Sequence, residues 1–172
     1  VDYRLTMSLT PPLISMLHDP LLQDRYVRHL DALIELSEKE IIRTQYQPEY
    51  QNLAYMYLNK FLKCREVFVD TYHKNLVNAF KRHQESGKLD IITCGATHGY
   101  FPNMSSVKKS VDAQVSIAVS HYKDVFGSPP SGIWLPECGY NPGDDEILKK
   151  HGIHYFYSDT HAILHGTDRK ST

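Results

Sequence analysis

Cysteine is scarce in this sequence: Cys64, Cys94 and Cys138 are three thiols in 172 residues. So odd and sparse a set fits a reducing compartment better than a disulfide scaffold, which points to a cytoplasmic location. Long apolar runs are missing as well. None approaches the roughly 20 residues of a membrane span, so no membrane partner is expected. Neither sign of charge dominates, with 19 Lys and Arg against 20 Asp and Glu and a net charge of −1. Without a basic stripe, nucleic acid is not an expected partner either. There is no Cys-x-x-Cys and no His-Glu-x-x-His spacing. Cys94, His98, Cys138, Asp159 and His161 are ligand types, but they are scattered, and no metal is expected. A Gly-rich phosphate loop and a Gly-x-Ser-x-Gly nucleophile elbow are also missing, and no cofactor is expected. No signal-peptide pattern occurs. The chain opens on Val1 rather than Met, however, so this last absence excludes nothing.

What is present describes a globular α/β protein. A 41% hydrophobic and 23% charged composition is ordinary for one, and 172 residues suffice for one domain's core. The 12 Tyr are more unusual. Tyr combines a flat apolar face with a hydroxyl, which suits amphipathic ligands such as sugars, although many Tyr simply pack in cores. From Tyr3 to Thr10 polar and apolar residues alternate, which predicts a strand stopped by Pro11-Pro12. A short helix over Leu13–His18 follows. Asp19-Pro20 then restarts the chain as an N-cap with Pro at the first helical position. The next helix is predicted over 21–44, with Tyr26, Leu30, Leu33, Ile34, Ile41 and Ile42 inward. One long helical region is predicted over 49–85, capped by Gly87.

The rhythm then changes. Leu89–Cys94, Ile133–Leu135 and His154–Ser158 read as strands, each followed by a loop. Helices are predicted over 106–126, ended by Gly127, and over 144–151, capped by Gly152, with acids in the first turn of the second and bases in its last. The tail to Thr172 turns polar and reads as a cut end. Repetition of strand, loop and helix predicts a parallel sheet or barrel with right-handed crossovers. In such folds the loops after the strands' C-terminal ends build the active-site face. Thr97-His-Gly-Tyr100, Pro136-Glu-Cys-Gly-Tyr140 and Asp159-Thr-His161 all occupy that position, so they are expected to converge. The helices between 13 and 87 fit no single crossover and are expected to be a helical insertion.

Glu137 is the leading chemical candidate. An isolated Glu is more often a helix cap or a surface ion pair. Here Gly132-Ile-Trp-Leu-Pro-Glu-Cys-Gly-Tyr-Asn-Pro-Gly143 surrounds it with a fixed backbone and the ring faces of Trp134 and Tyr140. A glycoside hydrolase needs such a carboxylate against the anomeric carbon, with aromatic surfaces under the sugar rings. His98 lies in a loop and is placed to bond a sugar hydroxyl or the nucleophile. A backbone-bonded structural His is the alternative. Asp159 and His161 fit either an exposed Asx turn or a functional pair. Cys138 has no activating partner in the sequence and reads as a small residue packed behind Glu137.

Thr93-Cys-Gly-Ala-Thr-His-Gly-Tyr-Phe-Pro102 and Gly132-Ile-Trp-Leu-Pro-Glu-Cys-Gly-Tyr140 together resemble glycoside hydrolase family 57, closest to its 1,4-α-glucan branching enzyme group. Arg4–Pro12 and His154–His161 resemble that group too, so the resemblance runs over essentially the whole chain. It implies part of a (β/α)7 barrel, a distorted relative of the eight-fold barrel, and retaining chemistry on an α-glucan substrate without a metal. It implies that Glu137 is the nucleophile and that His98 binds substrate. Trp134, Cys138 and Tyr140 match the nucleophile's surroundings, with Trp134, Tyr140, Tyr100 and His161 as further substrate-contact candidates. The family's His-containing first motif and its acid/base Asp motif have no match in this sequence, and Asp159 does not fit the latter. The chain therefore reads as an internal piece of the barrel, inactive alone. An α-amylase or 4-α-glucanotransferase of the same family, a metal-dependent carbohydrate deacetylase and a non-catalytic glucan-binding domain are the alternatives.

Overall fold

Four parallel strands in the order β1-β2-β3-β4 form the sheet: β1 (Leu5–Ser8), β2 (Leu89–Cys94), β3 (Gly132–Trp134) and β4 (Tyr155–Tyr157). The computed structural model describes residues 3–165. The polar tail after His165 lies outside them. Each strand pairs with the next in sequence, as the strand–loop–helix repeat predicts. The helices are α1 (Pro11–His18), α2 (Pro20–Arg43), α3 (Pro48–Glu66), α4 (Leu76–Glu85), α5 (Phe101–Met104), α6 (Lys108–Phe126), α7 (Asp144–Lys150) and α8 (Thr160–Leu164). None of the described helices is long and apolar enough to cross a membrane.

The chain divides into two compact units, one of residues 1–14 with 81–172 and the other Ser15–Phe80. In the first, β2 is buried on both faces from Ile91 to Cys94, as parallel strands covered by helices are. Val111 and Val115 of α6 pack with Ile133, Leu135, Leu148, Ile153 and Phe101 into its core. Tyr122 is buried yet satisfied, since its hydroxyl donates to the Ile91 carbonyl at 2.8 Å and accepts from Gln84 at 2.6 Å. Beside β3 the core has no room for a side chain at Gly132. A Cβ there would collide with the Tyr155 ring and sit 2.9 Å from Ile92 Cγ2.

The second unit is helical. Asp19 caps α2, accepting from the Leu22 amide at 3.0 Å, with Pro20 in the first turn as expected. Ion pairs Arg65–Asp31 (2.6 Å) and Lys74–Asp24 (2.7 Å) and an edge-on Tyr26–Phe68 contact tie its helices together. One expectation fails here. Ile42 and Tyr26 are exposed rather than inward, Ile42 because α2 ends one residue later. The long helical region expected over 49–85 is there, divided into α3, a π-turn at Val67–Thr71 and α4, with His73 and Lys74 at φ 48° and 65° before α4. The apolar spacing continues across the break because the widened π-turn keeps Phe68 buried.

Candidate active site

Strand register brings the expected clusters to one edge. Cys94 pairs with Trp134 and Trp134 with Tyr157, so β2, β3 and β4 end level with one another. The chain leaves each strand from the same end of the sheet, where α/β folds carry their sites.

The loop after β2 holds His98 at φ 56°. Gln114 of α6 fixes this loop. Its side-chain oxygen accepts from the Thr97 amide (2.9 Å), its amide group donates to Thr97 Oγ1 (2.7 Å), and its backbone carbonyl accepts from Ala96 (3.1 Å). The segment after β3 turns through a single 3-10 turn at Pro136–Cys138, with Glu137 at φ 52° and Cys138 at φ 54°. Consecutive non-glycine residues in the left-handed region are uncommon; each costs about 1–3 kcal/mol and persists only where its surroundings hold it. Here the Cys138 amide donates to Leu135 and the Gly139 amide to Pro136, closing the turn. A Cβ on Gly139 would collide with the Tyr100 ring and lie 2.8 Å from Pro102 Cδ, so the two loops interlock at that point.

These backbones set His98 Nε2 at 3.2 Å from Glu137 Oε1. The other ring nitrogen, Nδ1, lies 3.2 Å from Cys94 Sγ. Three side chains thus form a line from the core to the surface, with exposure rising from 0% at Cys94 to 45% at the His98 side chain and 76% at that of Glu137. Burial pushes the Cys94 thiol up to about 11, so it stays protonated. Cys138 is also held above the usual thiol range, by burial first and then by the nearby Asp159 and Glu137 carboxylates. Neither thiol is an activated nucleophile.

Two aromatic pairs stack at the same strand ends. Trp134 stacks on Tyr157 (5.8 Å between centroids) and Tyr140 on Phe156 (5.5 Å). Trp134, Tyr140 and Tyr100 each keep a partly exposed surface. The Tyr140 hydroxyl donates to Asp145 Oδ1 at 3.0 Å and holds that carboxyl below its usual range. The first two clusters therefore meet, and the Asp159 carboxylate of the third lies near enough to Cys138 to help raise its thiol. His161 reaches only Asp159, at 4.0 Å, and has no hydrogen bond to Glu137 or His98 among the described residues. No group of three or more His, Cys, Asp or Glu able to hold a metal ion occurs among the described residues.

Three contributors escaped the sequence. Gln114 is a single polar residue in an amphipathic helix, with nothing local to single it out. Tyr157 reads as an ordinary strand aromatic. The Cys94 contact follows only from the left-handed turn that folds His98 back over the strand end.

The model of glycosyl hydrolase family 57 matches residues 6–170. The 1,4-alpha-glucan branching enzyme TK1436 of Thermococcus kodakarensis is 26% identical over 181 residues, covering 96% of this chain and 26% of the relative. The structure of TK1436, solved in complex with glucose and additives, superposes with a TM-score of 0.87 at 25% identity, over 96% of this chain and 32% of that one. The alpha-amylase AmyC of Thermotoga maritima gives a TM-score of 0.90 at 42% identity, over 97% of this chain and 32% of that one. A family 57-type branching enzyme of Pyrococcus horikoshii gives 0.88 at 27%, over 96% and 34%. The chain thus spans about a third of the length of these structures and about a quarter of the curated relative. Its four parallel strands are part of the (β/α)7 barrel those enzymes share. With the match running almost from end to end, the chain belongs to glycosyl hydrolase family 57.

Proposed function

We propose that this chain carries the nucleophile half of a retaining enzyme acting on α-1,4-glucan, and that the whole protein transfers glucan chains to form α-1,6 branches. One observation carries the reading: an exposed Glu137 on a left-handed turn at a strand end, hydrogen-bonded through Oε1 to His98. That bond orients the carboxylate and leaves Oε2 to attack the anomeric carbon. As the new ester forms, the glycosidic bond breaks, and a second carboxyl protonates the departing oxygen. In retaining enzymes the two carboxyls stand about 5–5.5 Å apart. We assign none of the described residues to that second role. A glucan 6-hydroxyl then attacks the ester, loses its proton to the same carboxyl, and releases Glu137. Trp134, Tyr140 and Tyr100 present ring faces on which glucose units stack. We assign His161 an outer contact with the glucan. We also propose that residues 13–87 are an insertion in the barrel, a reading supported by the separate compactness of Ser15–Phe80.

Hydrolysis is the second reading, favoured by the 42% identity to a protein described as an alpha-amylase. Incubating the full-length protein with a mechanism-based glucosyl fluoride is expected to leave a glycosyl adduct on Glu137 by peptide mass spectrometry; an adduct on another residue overturns the assignment. Linkage analysis of amylose products separates the two readings, with new α-1,6 bonds for branching and short linear chains for hydrolysis. Stoichiometric zinc in the purified protein would restore the deacetylase alternative.

A further inference from the structure

The contact between Cys94 and His98 has no part in the chemistry above, yet it bears on the one hydrogen bond that chemistry needs. A neutral imidazole carries one N–H and one bare lone pair. At 3.2 Å from a carboxylate oxygen, Nε2 must be the protonated nitrogen, since a lone pair there would face a negative charge. Nδ1 is then an acceptor, and the group that meets it is the Cys94 thiol, 3.2 Å away and wholly buried. We propose that Cys94 is a positioning residue. Its S–H donates to His98 Nδ1, fixing the ring's orientation and its Nε2–H tautomer, so that His98 donates to Glu137. The consequence for catalysis rests on the reading of Glu137 as nucleophile, whereas the tautomer does not.

Three features make the arrangement specific. Cys94 is the last residue of β2 and its pairing with Trp134 fixes its position in the sheet. The loop between Cys94 and His98 is clamped by Gln114, so the ring has little freedom to move away. The thiol is held in its donor form by burial, with its titration pushed up to about 11. A weak donor is sufficient, because it needs only to be the better partner for Nδ1 than none.

The test uses nitrogen NMR of histidine-labelled full-length protein at about pH 9, where ordinary imidazoles are neutral. The His98 signals are assigned by their loss in His98→Gln. The expected wild-type pattern is a protonated, pyrrole-type Nε2 and a bare, pyridine-type Nδ1. Cys94→Ser, which keeps a donor, is expected to retain that pattern and most of kcat. Cys94→Ala is expected to show a tautomer mixture and to lose about 10-fold in kcat, the scale of one hydrogen bond, with KM little changed. On a His98→Gln background, Cys94→Ala is expected to cost nothing further, because its effect passes through the ring. A wild-type His98 protonated on Nδ1 overturns the proposal even if the alanine variant does not fold. So does a Cys94→Ala loss that adds in full to that of His98→Gln. Full turnover by Glu137→Gln would instead sink the nucleophile assignment and leave the tautomer result intact.

Discussion

Cys94 shows how one residue's chemistry is set by place rather than by type. Cysteine, as its thiolate, is among the most nucleophilic side chains, but here burial opposes formation of that thiolate. Wild-type protein treated with iodoacetamide at neutral pH is therefore expected to be alkylated at the half-exposed Cys64 and Cys138 well before Cys94, by peptide mass spectrometry. Labelling of Cys94 is expected only on unfolding, and early labelling would show that the strand end opens. The sign of the pH effect is fixed as well. Cys94 keeps its proton in the folded state up to about 11, while an unfolded cysteine loses it in the ordinary thiol range. Its contribution to stability is thus complete below that range and declines as pH rises through it. At this scale the sequence was informative about Glu137, whose Trp-Leu-Pro-Glu-Cys-Gly-Tyr context singles it out. It was silent about the contact of Cys94 with His98, because the last apolar-facing position of a strand looks like core.

Among the elements, β3 carries the loop of our proposed nucleophile on only three residues, as few as β4. Only Gly132, Ile133 and Trp134 form it, and the Tyr155 ring packs against Gly132 in the space a Cβ would take. Tyr155 is held there from its far end by a hydrogen bond to Asp90. Gly132→Ala is expected to push that ring out and destabilise the protein by about 1–3 kcal/mol, the usual cost of overpacking. Differential scanning calorimetry would register this as a Tm lower by several degrees; an unchanged Tm would mean that the strand can shift to make room. Helix boundaries were legible where side-chain chemistry writes them: Asp19-Pro20 starts α2, and Gly87 and Gly127 follow α4 and α6 at positive φ. The break at His73 and Lys74 was not, because no Gly or Pro marks it. A π-turn alters hydrogen bonding without disturbing the order of apolar residues. The short helices α5 and α8 were hidden for a related reason, being too brief to show a period.

For the molecule as a whole, the chain supplies strands that neighbour one another in sequence and one catalytic carboxyl by our assignment. Edge strand β1 leaves Leu5 57% exposed and Met7 partly so. We expect the 172-residue chain, purified alone, to leave amylose unchanged in a reducing-end and iodine-staining assay, since the second carboxyl has no assigned residue here. Measurable turnover by it would show that both groups lie within these residues. The parallel architecture was readable because the repeat of strand, loop and helix admits few topologies. The meeting of His98 with Glu137 was only half readable: sequence put both on one rim, but their 3.2 Å approach depends on backbone angles that no residue type announces. The left-handed conformation of Glu137 has one more consequence, for the evolution of the protein. A glycine would occupy that backbone without strain, so with Glu137 assigned as the nucleophile the position sets heat resistance against turnover. A population of variants selected only to survive heating would tend to drift toward glycine there and lose activity, and the carboxylate persists only where selection also demands the reaction.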